Sequence, residues 1–197
     1  IANNDSNENP YTYAIWGTGT ASLKPDMMIR NAADSAFVGD GVYNADGTSQ
    51  TKSQVVASDT KATYVLKLQN DGNVSDSFKV TGTAGGSGWT AKYYDAATSG
   101  TEITSSVTGT GWTPAALAPG AAKEFRLEVT PDGTVAAGAV KDVLVTATSS
   151  GDATKKDAVK ASTALPKRQP DGLIRKSAET SYLGDNVYNT TGTDQRR

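Results

Sequence analysis

The sequence predicts an all-β protein in which two antiparallel sheets pack face to face. Several short segments alternate apolar and polar residues with a period of two, which is typical of strands with one buried face. Turn-forming residues separate these segments roughly every 8 to 12 residues. No segment shows the 3.6-residue apolar periodicity of an amphipathic helix. These observations indicate an immunoglobulin-like antiparallel β-sandwich with partial β segments on both flanks.

The clearest predicted strand is 124–130, where Phe125, Leu127 and Val129 point inward. The segments 54–57, 61–69, 77–81, 89–94, 140–147 and 157–161 are the other predicted strands. Their expected core residues include Ala62, Tyr64, Leu66, Leu68, Phe78, Val80 and at least one of Trp89 and Trp112. The sequence Asn70-Asp71-Gly72 tolerates positive φ and predicts a hairpin turn between the strands 61–69 and 77–81.

The segment 25–50 recurs as 170–195, at an offset of 170 − 25 = 145 residues. Self-similarity at a fixed spacing is the mark of repeated modules, and this spacing fits whole domains in tandem. The positions identical in the two copies are Pro25/Pro170, Asp26/Asp171, Ile29/Ile174, Arg30/Arg175, Ala33/Ala178, Gly39/Gly184, Asp40/Asp185, Val42/Val187, Tyr43/Tyr188, Asn44/Asn189, Gly47/Gly192, Thr48/Thr193 and Gln50/Gln195.

The repeat and the prolines beside it predict the domain boundaries, since proline resists regular continuation and stiffens a junction. We expect residues 1–23 to be the C-terminal strands of a preceding immunoglobulin-like domain. Residues 24–166 would form one complete module. Residues 167–197 would be a linker and the start of the next repeat.

Composition excludes several classes of function. The net charge is −2 and the pI is about 5.2, so no positive field attracts nucleic acid. Cysteine and histidine are absent, which removes thiolate or imidazole metal sites and His-based triads. We therefore expect no catalytic residue and no enzyme activity. No apolar run in this fragment is long enough to span a membrane. Richness in Gly, Ala, Thr, Ser, Asn and Asp suits an extracellular or cell-surface location.

Three oxygen-bearing residues, Asp40, Asn44 and Asp46, crowd one loop and form a candidate calcium site. The alternative is a turn in which the Asx side chains bond their own backbone. The second copy favours the turn, because Thr191 stands where the first copy has Asp46. No other cofactor is expected.

Aromatic residues offer a second candidate site. Trp16, Tyr93 and Tyr94 could form a platform on which a sugar or a partner stacks, whereas the alternative is packing in the core.

The third candidate set occupies equivalent positions of the repeat. Arg30 and Asp40, with their counterparts Arg175 and Asp185, predict a structural ion pair or an interdomain contact in every module. The alternative for these four residues is solvation. Tyr43 and Tyr188 belong to the same predicted assembly surface.

Two resemblances support a surface protein. The beginning of the chain resembles the closing strands of a choice-of-anchor D repeat, related to the ASPM, SPD-2, Hydin group, through Asn3, Asn4, Asp5, Ser6, Glu8, Asn9, Pro10, Tyr11, Thr12, Gly17, Thr18, Gly19 and Thr20. The central module resembles tandem bacterial immunoglobulin-like domains of the NEW3 and CARDB kind, through Leu68, Asn70, Gly72, Asn73, Ser75, Asp76, Phe78, Leu117, Pro119 and Gly120. Both resemblances imply surface architecture without catalytic residues.

The sequence thus predicts a structural repeat module of a large secreted or surface bacterial protein, acting as a spacer or as a building block of a fibre or sheath. The alternative function is a carbohydrate-binding or adhesive module. The expected partners are neighbouring modules of the same chain. We also expect residues 11–20 and 174–189 to form β pairs, either with the central module or with another copy of the chain, because unpaired strand edges seek a partner.

Overall fold

The computed structural model describes residues 17, 19–168 and 170–188. The described residues form eight strands and one short helix. In chain order these are β1 (Pro25–Asn31), β2 (Thr51–Val55), β3 (Ala62–Asn70), β4 (Phe78–Gly82), β5 (Trp89–Tyr94), α1 (Thr104–Thr108), β6 (Ala122–Pro131), β7 (Val140–Ser149) and β8 (Lys156–Ala164).

The strands form two four-stranded sheets that make an immunoglobulin-like sandwich. One sheet has the order β1-β3-β6-β5 and the other has the order β2-β8-β7-β4. Neighbouring strands are antiparallel, except that β2 runs parallel to β8. The predicted fold class is therefore confirmed.

The core between the sheets is filled by the alternating residues that the sequence singled out. The side chains of Tyr64, Leu66, Phe125 and Leu127 are all fully buried, and so are the other inward positions predicted on β3, β4 and β6. Trp89 is 8% exposed and belongs to this core. The Trp112 ring packs against the Phe125 ring, with 5.5 Å between centroids. Burial of apolar area is the main stabilising contribution.

A tyrosine hydroxyl links the two sheets through the core. Tyr64 of β3 donates a hydrogen bond to the Ser162 carbonyl oxygen of β8 at 2.8 Å, and its oxygen lies 2.9 Å from Thr163 Oγ1. Burial raises the pKa of the Tyr64 hydroxyl to about 12. The hydroxyl is therefore a neutral donor throughout the physiological range.

We expect Tyr64→Phe to lower the free energy of unfolding by about 1–2 kcal/mol, because a buried carbonyl loses its donor while the ring stays in place. Urea unfolding followed by circular dichroism measures this loss. Tyr94→Phe is the matched control on β5, where the half-buried ring lies under the Arg126 guanidinium, and it should change stability by less than about 0.5 kcal/mol. Equal effects would contradict an inter-sheet role for Tyr64.

Strand β1 was absent from the predicted strands, because its burial does not alternate. Residues 25–29 are all buried, with Met27, Met28 and Ile29 at no more than 1% exposure. One face of β1 meets the sandwich core, and the loop that follows it covers the other face. A strand covered on both faces loses the period-two signal and resembles any short apolar run.

The predicted hairpin at Asn70-Asp71-Gly72 is wrong, because β3 and β4 lie in different sheets. Asn70 instead holds a crossover between them. Its amide nitrogen donates to the carbonyl oxygens of Val74 and Leu117, both at 2.8 Å, and its Oδ1 accepts the Gly72 N–H. The buried side chain therefore satisfies backbone groups that a hairpin ladder would have paired.

Helix α1 was not predicted either, since a single turn is too short for an apolar stripe to develop. It places Val107 in the core beside β4 and β5. Thr104 Oγ1 accepts the Tyr93 N–H at 2.9 Å, which fastens the turn to β5. In the described part of the chain, no helix has the length and apolarity to cross a bilayer.

The chain enters and leaves the sandwich at opposite poles. Strands β1 and β8 both begin at one pole, where the Met27 N–H meets the Asp157 carboxylate. The segment before β1 is tied to that pole by Asn73, which bonds the backbone of Thr20 and Ser22. Strand β8 ends at the other pole, about 30 Å away at roughly 3.3 Å per residue.

Candidate functional site

The repeated segment 25–50 forms strand β1 and a loop that folds back over its outer face. Ile29 and Val38 exchange backbone hydrogen bonds at 2.9–3.0 Å, which closes the first turn of this loop. At its end, Gln50 is fully buried and its carbonyl oxygen accepts the Lys160 N–H of β8. The segment therefore connects β1 of one sheet to β8 of the other at the pole where the chain enters, and buried polar groups hold it there.

Asp157 of β8 is the main anchor of this segment. Its carboxylate accepts hydrogen bonds from the Met27 N–H at 2.5 Å, the Asn44 N–H at 2.9 Å and Gln50 Nε2 at 2.8 Å. Burial raises the pKa of Asp157, and these three donors act in the opposite direction. One side chain thereby binds the beginning, the middle and the end of the segment.

A second carboxylate, Asp26, is buried on the same segment. Its Oδ2 accepts the Gly41 N–H at 3.0 Å, and its Oδ1 has no partner within residues 19–168 and 170–188. Burial raises the pKa of Asp26 to about 7, and the nearby charges of Asp71, Asp157 and Asp40 act in the same direction. Gln50 Oε1 is also fully buried and has no partner in the same described ranges. The cluster of Asp26, Gln50 and Asp157, called the anchor below, thus contains two unsatisfied acceptors.

The rim of the anchor is formed by Tyr43. Its hydroxyl donates to Asp71 Oδ2 at 2.5 Å, and the Lys24 ammonium lies 3.7 Å from the ring centroid. Burial and the bond to Asp71 raise the pKa of Tyr43, so the hydroxyl stays protonated. These contacts join the repeated loop to the crossover after β3 and to the segment that precedes β1.

The second copy of the repeat adopts the same local structure in its described residues. Ile174 and Leu183 exchange backbone hydrogen bonds as Ile29 and Val38 do. Asp171 Oδ2 accepts the Asn186 N–H at 3.1 Å, matching the bond from Gly41 to Asp26. Gly184 has φ +99° where Gly39 has φ +104°. The repeated sequence therefore encodes a repeated conformation.

The two copies differ in what covers them. Met28 and Ile29 are 1% and 0% exposed, whereas their counterparts Leu173 and Ile174 are 46% and 43% exposed. In the first copy these residues belong to β1, which pairs with β3 and contacts β8. The second copy thus presents to solvent the apolar positions that form a core in the first.

The predicted ion pair between Arg30 and Asp40 is wrong. Arg30 Nη1 donates to the carbonyl oxygens of Ala32 at 3.1 Å and Asp34 at 2.9 Å, and the guanidinium lies 5.1 Å from the Phe37 ring. Asp40 is exposed and takes part in none of the salt bridges of the described residues. The loop turns its carbonyl groups towards the arginine, which satisfies the guanidinium without a carboxylate.

Arg175 and Asp185, the equivalent residues of the second copy, form no salt bridge with each other among the described residues either. Arg175 donates to the Glu179 carbonyl oxygen at 2.5 Å and lies 5.1 Å from the Tyr182 ring. Tyr188 differs from Tyr43, since its hydroxyl donates to Asn186 Oδ1 at 3.3 Å. Participation of these residues in assembly stays a prediction.

The calcium candidates lie in the same loop, where their oxygens serve a turn. Asn44 Oδ1 accepts the N–H groups of Gly47 and Thr48 at 2.7 and 3.1 Å, and Asp46 Oδ1 accepts the Thr48 N–H. Bonds from Thr48 lower the pKa of Asp46. These contacts match the Asx-turn alternative. Over residues 19–168 and 170–188, no cluster of three or more acidic side chains is arranged to hold a metal ion, and calcium binding stays a prediction.

The aromatic candidates are not together on a surface. Tyr93 is fully buried and its hydroxyl donates to the Thr83 carbonyl oxygen at 2.8 Å, so its predicted placement in a binding platform is corrected to the core. The Tyr94 ring lies 4.1 Å from the Arg126 guanidinium, which covers one face. Trp16 lies outside the described residues.

A surface groove of about 600 Å³ opens at the pole where the chain leaves the module. Its described lining contains one charged side chain and no carboxylate. Glycoside hydrolysis needs two carboxyl groups that flank a bond, so this groove lacks the groups for that reaction. The lining residues are Ala57, Ser58, Gly133, Thr134, Val135, Ala136, Ala137, Leu165, Pro166 and Arg168.

Sequence reasoning missed the roles of Asp26, Gln50 and Asp157. A signal for the first two was present, since both are identical in the two copies while many exposed loop positions differ. Asp157 begins a predicted strand, directly after two lysines, and its sequence context carries no comparable signal. Its role depends on contacts 107–130 residues away along the chain.

Comparison with known proteins gives similarities of structure alone. No protein-family model and no curated protein matches the sequence. A FixG-related protein from Vibrio parahaemolyticus has a TM-score of 0.40 at 10% identity, over 72% of this chain and 95% of that one. A human ASH/PapD-like domain has a TM-score of 0.39 at 10% identity, over 82% and 99%. A CARDB domain from Pyrococcus furiosus, solved with di-metal ions, has a TM-score of 0.38 at 15% identity, over 75% and 99%.

Proposed function

We propose that this chain is a structural repeat module of a large secreted or surface bacterial protein, in which it acts as a spacer or as part of a fibre or sheath. The observation that carries the proposal is the return, 145 residues after Asp26, Ile29 and Arg30, of the same local contacts at Asp171, Ile174 and Arg175. A conformation encoded twice at a domain-sized interval is the expected product of tandem duplication.

The chain enters the sandwich at one pole and leaves it at the other, and this arrangement supports the spacer function. Modules joined in this manner would lie end to end, with residues 165–170 as the connection. Leu165 is 8% exposed and the Pro166 carbonyl oxygen accepts the Gly138 N–H, so the connection is attached to the module before it continues. We infer that neighbouring modules are the main partners of this chain, and that residues 24–166 form one module.

The exposed apolar residues of the second copy support the same proposal. Leu173 and Ile174 occupy the positions of Met28 and Ile29, which are buried on β1 where that strand pairs with β3 and contacts β8. Residues 170–195 would therefore be the opening of another module, whose remaining strands cover these side chains. Relationship to the NEW3 and CARDB kind of domain is part of this proposal. So is the choice-of-anchor D segment, most of which lies outside the described residues.

A hybrid chain tests the proposal directly. Residues 51–164 of this chain are appended after Gln195, so that 170–195 stands to them as 25–50 stands to the existing module. We expect a second cooperatively folded unit, with amide exchange at Leu173 and Ile174 slowed towards the rates at Met28 and Ile29. Gly172 stands where the fully buried Met27 lies, and Gly172→Met should stabilise the new unit by about 2–4 kcal/mol.

The matched control carries Asp157→Ala in the appended strands alone. This control should fail to form the second unit while the first module stays folded. Rapid exchange at Leu173 and Ile174 in the unmodified hybrid, and also in the Gly172→Met form, would contradict the proposal. If light scattering shows that the hybrid is strictly monomeric, the spacer function stays consistent with the result, whereas assembly into a fibre is contradicted.

The alternative of a carbohydrate-binding or adhesive module has no comparable support. Of its three aromatic candidates, Tyr93 is in the core and Tyr94 lies under Arg126. An extracellular location is part of the proposal and follows from the composition of the chain. Detection of the intact source protein in culture supernatant or on the cell surface, against its absence there, tests that location.

A further inference from the structure

Two buried acceptors of the anchor have no donor among the described residues. Asp26 and Gln50 are both 0% exposed, and neither Asp26 Oδ1 nor Gln50 Oε1 has a partner in the part of the chain that the structure describes. A buried acceptor without a donor is destabilising, so two in one place require an explanation. Both side chains lie against the turn at Gly39–Gly41. Asp26 accepts the Gly41 N–H, and Gln50 Oε1 lies 2.8 Å from the position that a β-carbon on Gly39 would take.

The orientation of the Gln50 amide is fixed by its surroundings. Its nitrogen donates to the Val42 carbonyl oxygen at 3.0 Å and to Asp157 Oδ1 at 2.8 Å. A flipped amide would direct its oxygen at these two acceptors, which would be repulsive. Gln50 Oε1 must therefore face the turn as an acceptor, and only a donor can satisfy it.

The charges that face Asp26 oppose its ionisation. Asp71 lies on the crossover after β3, Asp157 lies on β8 and Asp40 lies on the repeated loop, and all three raise the pKa of Asp26. The neutral hydroxyl of Tyr43 is bonded to Asp71. The nearby cations include Lys24, whose ammonium rests on the Tyr43 ring, and Lys155 and Lys156, which line the same surface depression as Lys24 and Tyr43. Neither Asp26 nor Asp157 has a salt bridge within the described ranges.

We propose that the folded module holds one proton on Asp26 Oδ1, which it donates to Gln50 Oε1, and that loss of this proton loosens segment 25–50 from β8. A single proton supplies the missing donor and removes one of two buried charges. Once Asp26 ionises, it repels Asp157, which binds the Met27 and Asn44 N–H groups. The anchor therefore responds to pH.

The sign of the effect follows from linkage. The pKa of Asp26 in the folded module, about 7, lies above its value of about 3.8 in the unfolded chain, so the folded state binds the proton more tightly. The stabilisation is fully present below about pH 4 and is lost as the pH rises through about 7. Between these values the unfolding equilibrium constant should rise on the order of a hundredfold to a thousandfold from this group. Burial raises the pKa of Asp157 as well, which adds a contribution of the same sign.

The test uses the full chain and begins with the Asp26 side-chain carboxyl carbon, followed by ¹³C NMR from about pH 4 to about pH 9. We expect this carbon to titrate near pH 7 and the Met27 and Asn44 amides to exchange faster above that pH, after correction for intrinsic exchange. Titration below about pH 5 would overturn the proposal.

Asp26→Asn supplies a permanent N–H donor without a charge, and it keeps an acceptor for the Gly41 N–H. In urea unfolding, this variant should lose most of the decline in stability between about pH 4 and pH 8. Asp142→Asn, on an exposed position of β7, should keep the wild-type decline. The same slope in Asp26→Asn and wild type would overturn the proposal. So would a rise in the wild-type unfolding midpoint at pH 8 on adding calcium to chelator-treated protein, if Asp26→Asn lacks that rise, because a cation would then replace the proton.

Discussion

Replacing Asp157 with alanine is expected to lower the free energy of unfolding by about 3–5 kcal/mol, a large part of the stability of a domain of this size. The Met27 and Asn44 N–H groups and the Gln50 amide would lose their acceptor in a buried place. Each orphaned donor costs about 1–3 kcal/mol. Removing a charge beside Asp26 offsets part of this loss, but three buried donors outweigh the relief of one repulsion.

Urea unfolding of the full chain, followed by circular dichroism, measures the effect of Asp157→Ala. Asp142→Ala is the control, since Asp142 is exposed on the neighbouring strand β7 and its loss should change stability by less than about 0.5 kcal/mol. Amide exchange adds a local measurement, because segment 25–50, including β1, should open before the other strands of the two sheets do. Similar losses from the two substitutions would show that Asp157 is no anchor.

The second large effect is expected at Gly39, where alanine should cost about 2–5 kcal/mol. Gly39 has φ +104°, which strains any residue with a β-carbon. The added carbon would also meet Gln50 Oε1 and the Met27 carbonyl oxygen, both at 2.8 Å. The Met27 oxygen belongs to the backbone of β1, so relief would require movement of the strand or of the buried glutamine.

The repeat provides the control for this prediction. Gly184 occupies the equivalent position with φ +99°, in a copy whose apolar residues are exposed. Gly184→Ala should therefore strain its own loop and leave the unfolding midpoint of the module unchanged. A loss of stability with Gly184→Ala as large as with Gly39→Ala would mean that the second copy contributes to the module.

The fold was predictable where one face of a strand is buried and the other is wet. Strands β3 and β6 have that environment, so the alternation of apolar and polar residues predicted the buried positions Tyr64, Leu66, Phe125 and Leu127. Strand β1 did not, because a loop covers the face that solvent would otherwise reach. Asn70 misled the prediction for a related reason: a residue suited to a tight turn serves equally well to satisfy backbone groups in a crossover between sheets.

The candidate site was predictable only as a segment. The repeat identified segment 25–50 as a candidate. The predicted ion pair, however, assumed that two opposite charges present in both copies, Arg30 and Asp40 in the first, contact each other. The loop instead surrounds Arg30 with carbonyl oxygens. The contacts that hold the segment run to Asp157, more than a hundred residues away, and no local pattern in a single sequence encodes such a distance.

The two points at which the chain enters and leaves the sandwich determine how the sandwich would resist a pulling force. A pull applied through residues 20–24 and 165–168 acts along the strands, because β1 starts at one pole and β8 ends at the other. The bonds between β1 and β3 then resist sliding together instead of opening one after another. Rupture under such a shear load depends on the unfolding rate rather than on equilibrium stability. The Asp157 carboxylate, which links β8 to β1 through the Met27 N–H, would resist separation of these two strands at the pole where the force enters β1.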